Sequence, residues 1–522
     1  MSKAAEMAKV SVKGGFHLLW GLVASTVISS VGTIFVGNLL GDVNYGLYTI
    51  ALAAPNLIAT FRDWGINVAM IKYSAQYNAE DKGAKIRSIF AAGIAFETVL
   101  GLALSVVAFL LSGLLANLYN LPITSLIQIA SFTILTGALL STAQSAFVGI
   151  ERMELNSITI IFQSIIKTIV IPMLVIFGLG PFGAVIGYSV AILIAGLIGI
   201  LLMWTLYKSL PKPANNKLEI KATIKAMLNY GLPLSIAGMI GTFQTQFYNF
   251  IVPIYVSPDL FGNYGIANTF AVLITFFASP ITTILFPAFS KLDIQKDRET
   301  LKNVFQFSIK YASLLVVPAA AIVMVLAQPG IAVLFPDYTA APLFLALLAI
   351  SYLLTAAGNL SIGNLINSQG QTRFNLKLAL ITSAIGFPLS VILISQFGIL
   401  GLIITTLTAG IPSLIIAILW LKKQYGVTVD WSSSARILLS GAAASAITYV
   451  LISQLAFSNW TALIVGAIVF LFSFVLAILL TRAIDRADIK NLRDMLGGLG
   501  PLRRPFNFFL IIIEKLMSIL RL

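Results

Sequence analysis

Apolar stretches long enough to cross a membrane recur along the whole of this chain. Hydropathy predicts about fourteen of them, each roughly 20–28 residues long, and about 20 helical residues cross the ~30 Å hydrocarbon core of a bilayer. The predicted spans cover residues 14–40, 44–71, 88–112, 122–148, 155–178, 181–206, 227–256, 258–286, 304–328, 339–366, 374–397, 399–421, 434–455 and 459–482. A chain that is 58% hydrophobic and 10% charged cannot be a soluble globule, so we predict an all-α polytopic membrane protein.

The positive charges alternate with the predicted spans. Thirty of the 33 lysines and arginines fall in the N-terminus, the even-numbered gaps and the C-terminal tail; the odd-numbered gaps contain aspartates and no cation. Because positively charged loops stay in the cytoplasm during insertion, we expect a multi-pass protein of the cell membrane with both termini cytoplasmic. The same loops account for the net charge of +14 without a nucleic-acid partner. The absence of cysteine excludes disulfides and thiolate metal sites.

Two short motifs recur at nearly the same spacing. YGLYTIA at 45–51 matches FGNYGIA at 261–267, displaced by 216 positions, and GIERMEL at 149–155 matches GQTRFNL at 370–376, displaced by 221. Six spans separate the copies, and an even number preserves the membrane orientation. The motifs therefore predict two parallel six-helix repeats related by an axis along the membrane normal.

The repeat and the polar stretches between spans predict the organisation of the chain. The stretch between spans six and seven is basic and polar, as expected of a linker, and the last apolar segment is interrupted by Glu514 and Lys515. We predict an N-terminal six-helix lobe at 1–206, a cytoplasmic linker at 207–226, a C-terminal six-helix lobe at 227–421, two additional transmembrane helices within 434–482, and a cytoplasmic tail at 483–522 with an interfacial amphipathic helix.

Polar side chains form stripes on the first two spans of each half. The stripes comprise Thr26, Ser30 and Thr33 in span one, Asn56, Thr60, Asp63 and Asn67 in span two, Thr242, Gln246 and Asn249 in span seven, and Asn268 in span eight. Their spacing places each set on one helical face, and the displacement of 216 maps the stripe of span one onto that of span seven. Hydrogen bonding between helices explains any single hydroxyl. The matched stripes together predict a hydrated cavity between the halves.

Five ionised groups lie inside the predicted spans, where each costs about 2.5–3.5 kcal/mol unless it faces water or a partner. They are Arg62, Asp63, Glu97, Lys167 and Lys310. Glu97 lies at a similar depth to Arg62 and is its expected partner, which leaves a structural ion pair and a functional site both open. Lys167 has no acidic partner on its own helix, which favours function, whereas Lys310 is close enough to the span end to snorkel.

The candidate substrate-binding residues follow from the stripes and the buried charges. They are Arg62, Asp63, Lys167, Glu97, Asn56, Ser30, Thr33, Gln246, Asn249 and Asn268. No catalytic, cofactor-binding or metal-binding residue is predicted, because the chain shows no nucleotide-binding loop, paired-carboxylate site or metal cluster. The sequence is therefore not that of an enzyme.

Several segments resemble one transporter superfamily. GDVNYGLYTIA at 41–51, FRDWGINVAMIKYSAQY at 61–77 and the Gly-x-x-Arg junctions at Gly149 and Gly370 are similar to oligosaccharide and polysaccharide flippases of the multidrug/oligosaccharidyl-lipid/polysaccharide (MOP) exporter superfamily. The resemblance covers about residues 10–480. It implies two six-helix lobes in a V-shaped, MATE-like bundle with two extra C-terminal helices, around a cavity lined by spans one, two, seven and eight.

The resemblance implies a flippase that carries a polyprenyl-linked oligosaccharide or polysaccharide unit from the cytoplasmic to the outer leaflet by alternating access. Arg62 and Lys167 would attract the phosphate linker, although Asp63 and Glu97 oppose this locally. The expected partners are the lipid-linked glycan, membrane lipids and glycan-assembly enzymes, and the protein is expected to be a monomer. No cofactor is expected, and a coupling ion, H⁺ or Na⁺, is left open.

The sequence leaves three alternatives open. A cation-coupled multidrug antiporter of the same superfamily would share the fold, although such antiporters typically have twelve spans and the two extra helices count against this reading. A twelve-span facilitator of another fold also has parallel halves, but its charged loop motif between spans two and three is missing. A membrane scaffold without transport activity would not explain the charges inside the spans.

Overall fold

The computed structural model describes residues 3–212, 219–277, 289–290, 292, 297–455 and 457–486, with scattered positions between 488 and 517, and it describes side chains from Trp20 onward. All regular secondary structure in these ranges is helical, which confirms the predicted all-α class. Residues 213–218 of the predicted linker and most of the predicted interfacial helix lie outside the described residues.

Sixteen α-helices follow one another in the described ranges. They are α1 Lys3–Ala59, α2 Ile66–Ala79, α3 Gly83–Leu118, α4 Thr124–Gly149, α5 Met153–Leu174, α6 Gly180–Ser209, α7 Ile220–Ile251, α8 Pro258–Val272, α9 Arg298–Leu334, α10 Ala341–Leu353, α11 Asn359–Ser368, α12 Thr372–Phe397, α13 Ile399–Thr408, α14 Ile411–Tyr425, α15 Trp431–Gln454 and α16 Asn459–Leu480. Short helical turns at Val175–Leu179, Val252–Ile254 and Leu354–Ala357 extend three of them.

These helices account for the predicted membrane spans. Among the described residues, ten helices are long and apolar enough to cross a membrane, or eleven if the bent pair Ala341–Ala357 and Asn359–Ser368 counts as one span. Two of the ten, Trp20–Ala59 and Met153–Ser209, each extend over two predicted spans. Helix α7, with 32 residues, overlaps most of predicted span seven, and each of the fourteen predicted spans overlaps at least one helix of the described residues. Residues 278–286 of predicted span eight lie outside the described residues.

Helix is interrupted within several predicted spans, among them spans two, ten and twelve, the last between α13 and α14. Span two stops being helical at residues 60–65 between α1 and α2. Span ten bends by 53° where Gly358 adopts a φ of 89°. Hydropathy does not detect these breaks, because the interrupting residues are flanked by apolar sequence on both sides.

The chain forms two compact units. Unit 1 comprises Met1–Ile266 and Ser383–Leu402, and unit 2 comprises Ala267–Thr382 and Ile403–Leu522. The largest buried side chains of unit 1 lie where α2, α3 and α4 meet, around Phe90 and Phe147. In unit 2 the two additional helices α15 and α16 pack against α9, with Phe470 and Tyr311 in their shared core.

The C-terminal tail is attached to unit 2 by a buried ion pair. Lys310 Nζ lies 2.5 Å from Asp488 Oδ2, and the Tyr311 hydroxyl donates to Asp488 Oδ1 at 3.1 Å. Asn491 donates in turn to the Tyr311 oxygen at 3.1 Å, and Met517 is only 4% exposed in the same core. The charge of Lys310 is therefore neutralised by the tail, a partner that the sequence did not predict.

The two similar motifs near the predicted outer ends of spans two and eight touch each other inside unit 1. A methyl group added at Gly46 would lie 3.0 Å from Pro258 Cα, and one added at Gly262 would lie 3.0 Å from Gly46 N. Such distances are far below van der Waals contact, so only glycine permits this approach of one backbone to the other. The contact brings α8 directly against the segment that follows Gly41 in α1.

Candidate functional site

The candidate site lies around the break in predicted span two. Helix α1 ends at Ala59, turns with hydrogen bonds back to residues 57–59 follow, and Gly65 adopts a left-handed φ of 83° before α2 begins. The Asp63 carboxylate accepts the backbone N–H of Asn67 at 3.2 Å and so satisfies one free donor of the first turn of α2. Non-helical backbone at membrane depth is tolerated only where protein or a water-filled cavity surrounds it.

Arg62 and Glu97 form an ion pair beside this break. Arg62 Nε lies 3.1 Å from Glu97 Oε2, and the Glu97 side chain is completely buried. Asn67 donates through Nδ2 to the other carboxylate oxygen, Glu97 Oε1, at 3.0 Å. The ion pair predicted from the sequence is therefore present, and both oxygens of this buried carboxylate face a donor.

The guanidinium of Arg62 is also bound to α4. Its Nη2 donates to the Ser141 hydroxyl at 2.9 Å and its Nη1 donates to the Ile134 carbonyl at 3.3 Å. The Arg62 side chain is 16% exposed. Arg62 therefore connects the break to α3 and α4 at once, as a structural ion pair does.

Lys167 occupies a different position in unit 1. Its ammonium lies 5.4 Å from the centre of the Tyr188 ring, beside a small cavity that Ser29, Thr33 and Tyr48 help to line. The cavity volume is about 20 Å³, enough for about one water molecule. Within the described part of the chain, Lys167 has neither an ion-pair partner nor a hydrogen-bond partner. A partly buried cation halfway along predicted span five is thus left without a counterion among the described residues.

The hydroxyls and amides of the stripes behave differently. Ser30 and Thr33 donate to carbonyls one turn earlier in α1, at 2.8 and 2.9 Å. The side-chain amides of Asn56, Gln246 and Asn249 are half-buried and have no hydrogen-bond partner among the residues that the structure describes. Unbonded amides are costly in hydrocarbon, so these three side chains must meet water or a ligand.

Asn268, the remaining predicted site residue, is exposed and belongs to unit 2, whereas the other nine belong to unit 1. The structure thus brings Arg62 and Glu97 together with Asp63 close by, and it places Lys167 in a separate cavity.

Sequence reasoning missed a close backbone contact at the break. A methyl group added at Gly65 would lie 2.8 Å from Gly231 Cα, and one added at Gly231 would lie 3.1 Å from Gly65 Cα. Gly65, the residue just before α2, therefore packs directly on the backbone of α7. The only sequence signal is a glycine in each span, which is not specific in a chain with 39 glycines.

A second missed element holds α7 within unit 1. Gln244 donates to the Tyr248 hydroxyl at 2.5 Å and accepts from the Ser383 hydroxyl at 2.9 Å. Gln244 lies two residues from Gln246 and so points to another side of α7. One face of α7 is therefore bonded within the protein, while the face with Gln246 and Asn249 is not.

Two family models match the chain. A model described as a polysaccharide biosynthesis protein matches residues 11–293, and a model described as lipid II flippase MurJ matches residues 267–481. Two uncharacterized membrane proteins of Methanocaldococcus jannaschii also match. MJ1375 is 25% identical over 429 residues, 79% of this chain and 99% of the relative, and MJ1068 is 22% identical over 431 residues, 79% of this chain and 84% of the relative.

Solved structures of transporters have a similar fold. A lipid II flippase MurJ in an inward closed conformation superposes with a TM-score of 0.70 at 16% identity, covering 88% of this chain and 97% of that chain. An inward-facing multidrug resistance MATE family transporter of the MOP superfamily gives a TM-score of 0.60 at 14% identity, covering 77% and 94%. At these identities the likeness shows the fold, and the matched families and structures are transporters and flippases.

Proposed function

This chain belongs to the polysaccharide biosynthesis protein family, and from that premise we propose that it translocates a polyprenyl-linked oligosaccharide or polysaccharide unit from the cytoplasmic to the outer leaflet by alternating access. A similar fold is found in a protein whose name states that it flips lipid II, which is consistent with a lipid-linked cargo. We place the protein in the cell membrane as a monomer with both termini cytoplasmic, receiving its cargo from glycan-assembly enzymes. A coupling ion, H⁺ or Na⁺, is not assigned.

The observation that carries this proposal is the unpaired Lys167. A cation inside a membrane span is expensive unless it has a counterion or serves a ligand pathway. Within the described residues Lys167 lacks a counterion, and the phosphate that links a glycan to its lipid is an anion of the right sign. The cavity of about 20 Å³ beside it is too small for a phosphate, so the proposal requires α1 and α5 to separate when the cargo enters.

The carboxylates favour this function over a cation-coupled antiporter. A coupling cation would need an acidic residue free to bind it. Glu97 is already paired with Arg62 and bonded to Asn67, and one oxygen of Asp63 accepts the backbone N–H of Asn67. In the described residues the buried Glu97 therefore has a protein counterion, whereas Lys167 does not.

The unbonded amides suit the glycan part of the cargo. Sugar hydroxyls both donate and accept hydrogen bonds. An amide side chain can pair with them in both ways, because its NH₂ group donates and its carbonyl oxygen accepts. Asn56, Gln246 and Asn249 have these groups free of protein partners in the described residues. In this proposal the glycan and phosphate cross along these polar side chains, and the lipid chain stays in hydrocarbon.

A flipping assay in liposomes tests the proposal. Purified protein should move a fluorescent, polyprenyl-linked oligosaccharide between leaflets, and Lys167→Ala should abolish this with normal protein abundance. Lys167→Arg should retain part of the activity because a charge remains, and Lys377→Ala, at an exposed lysine of α12, is the matched control. Transport of cationic dyes by a protein that leaves every lipid-linked glycan in place would overturn the proposal.

A further inference from the structure

A groove lies on the outside of unit 1 between α3 and α6. It is lined by Phe90, Ala91 and Ile94 of α3 and by Ile200, Met203, Trp204 and Tyr207 of α6, and its volume is about 190 Å³. The polar atoms of these side chains are the indole nitrogen of Trp204 and the hydroxyl of Tyr207, the last two lining residues along α6. The rest of the groove therefore offers hydrocarbon contacts.

Two cations lie at one end of this groove, stacked on aromatic rings. The Arg87 guanidinium carbon lies 4.2 Å from the centre of the Tyr207 ring, and Lys208 Nζ lies 5.4 Å from the Trp204 ring. The two rings are stacked on each other with centres 5.6 Å apart and an angle of 12° between their planes. The ring faces attract and orient the cations without neutralising them.

Neither cation has a carboxylate partner in the part of the chain that the structure describes. Arg87 uses Nη1 to donate to the Leu210 carbonyl at 3.1 Å, which leaves its other N–H groups available. Glu80, in the loop just before α3, is paired with Lys82 at 2.6 Å. The end of the groove is therefore positively charged and has donors available for an anion.

The depth of the cations and of the groove matches that of a lipid. Arg87 lies close to the first residue of α3 and Lys208 close to the last residue of α6, and both flank the predicted spans 88–112 and 181–206, which places them at the predicted membrane interface. At 1.5 Å per residue, the stretch from Phe90 to Ile94 lies about 5–10 Å further into the membrane. A phosphate at the cations would thus have an acyl chain directly over the groove.

We propose that this groove binds an anionic phospholipid of the surrounding bilayer, with its phosphate on Arg87 and Lys208 and one acyl chain along the apolar lining. A bilayer lipid fits better than the glycan cargo, because none of the lining residues belongs to predicted spans one, two, seven or eight, and the lining has hydrogen-bonding groups only on Trp204 and Tyr207. By the predicted topology the lipid belongs to the cytoplasmic leaflet. The proposal concerns lipid binding and is independent of the transported substrate.

Lipid retention measured by native mass spectrometry tests the proposal on the full chain. Protein released from nanodiscs should retain phosphatidylglycerol and not phosphatidylcholine of the same acyl chains. A cation near an anionic lipid headgroup contributes about 1 kcal/mol, so Lys208→Gln should weaken retention about fivefold and Arg87→Gln with Lys208→Gln about thirtyfold. Lys208 makes no hydrogen bond or ion pair in the described residues. Replacing it with glutamine should therefore leave the fold intact, and a change in lipid retention would report on binding.

Two further variants separate the charge from the groove. Ala91→Phe fills the groove and should also weaken retention, while Lys422→Gln with Lys423→Gln, two exposed lysines at the end of α14, should leave it unchanged. Equal retention of phosphatidylglycerol by wild type and the Arg87/Lys208 double variant would overturn the proposal. So would unchanged retention in Ala91→Phe, or preferential displacement of phosphatidylglycerol by a polyprenyl phosphate, which would identify the cargo lipid as the occupant.

Discussion

Arg62 Nε and Glu97 Oε2 lie 3.1 Å apart, and through this pair a charged break in one span is joined to the completely buried carboxylate of the next. Removing one partner of a buried ion pair is more damaging than replacing both, because the other charge is left without compensation. Two roles for Arg62 therefore make different predictions.

If the pair is structural, Arg62→Ala should destabilise the protein by about 3–5 kcal/mol and lower its abundance in the membrane. Adding Glu97→Gln should restore most of the loss, since the neutral amide no longer needs a counterion and can still bond to Asn67. Membrane abundance and the thermal unfolding midpoint of single and double variants measure this. If Arg62→Ala instead reaches wild-type abundance but no longer exports, Arg62 contacts the substrate.

The contact between Gly65 and Gly231 predicts a large effect of one methyl group. Gly231→Ala should destabilise the protein by about 1–3 kcal/mol, because the added methyl group overlaps the backbone of Gly65. Gly238→Ala is the matched control on the same helix, since an added methyl there meets nothing within 4 Å. Thermal unfolding of the purified variants measures both, and equal midpoints would contradict a tight contact at Gly231.

The unbonded amides predict where water reaches the interior. Cysteines replacing Asn56, Gln246 or Asn249 should react with a water-soluble thiol reagent, and those replacing Ala54 or Ile251, 1% and 8% exposed, should not. The protein has no native cysteine, so the labelling has no background. Ser30 is 9% exposed and bonded to its own helix, so a cysteine there should react more slowly than at the amides.

Equal labelling at all these positions would mean that water follows no particular face of α1 and α7. The hydrated path assumed for the glycan would then have no basis.

The pair of Lys310 and Asp488 predicts that the tail can be released by one substitution. Asp488→Asn removes the counterion of a lysine whose side chain is 15% exposed, and should weaken tail attachment by about 3–5 kcal/mol. Arg493→Gln is the control in the same tail: its pair with Glu514 is solvent-exposed and should contribute at most about 1 kcal/mol. Limited proteolysis within residues 483–522 measures the release, and equal cleavage of both variants would contradict the anchoring role.

Much of the architecture could be predicted because it depends on properties that the sequence carries directly. Hydropathy and the alternation of lysine and arginine locate the spans, and the helices α4 and α6 follow the predicted ranges to within three residues, whereas α3 extends beyond its range by five and six residues. The pair of Arg62 and Glu97 could be predicted as well, since two opposite charges at similar depth in adjacent spans have few other partners.

The features that sequence reasoning missed depend on contacts between distant segments. Lys310 and Asp488 are 178 residues apart in the sequence. The sequence of the tail does not indicate that it packs on α9 rather than on the membrane surface. The break at residues 60–65 depends on Gly65, whose left-handed backbone is invisible to hydropathy. The groove beside Arg87 requires the rotation of α3 and α6 about their own axes, which amphipathic patterns cannot supply in helices that are apolar all round.

The approach of Gly65 to Gly231 has a mechanical consequence. Two backbones that touch without side chains have nothing flexible between them, and a gap of about 0.5–1 Å already removes about a quarter to a half of their dispersion attraction. No long side chain at this point can follow the helices apart and keep them in contact. Movement of α2 away from α7 is therefore opposed over a short distance only.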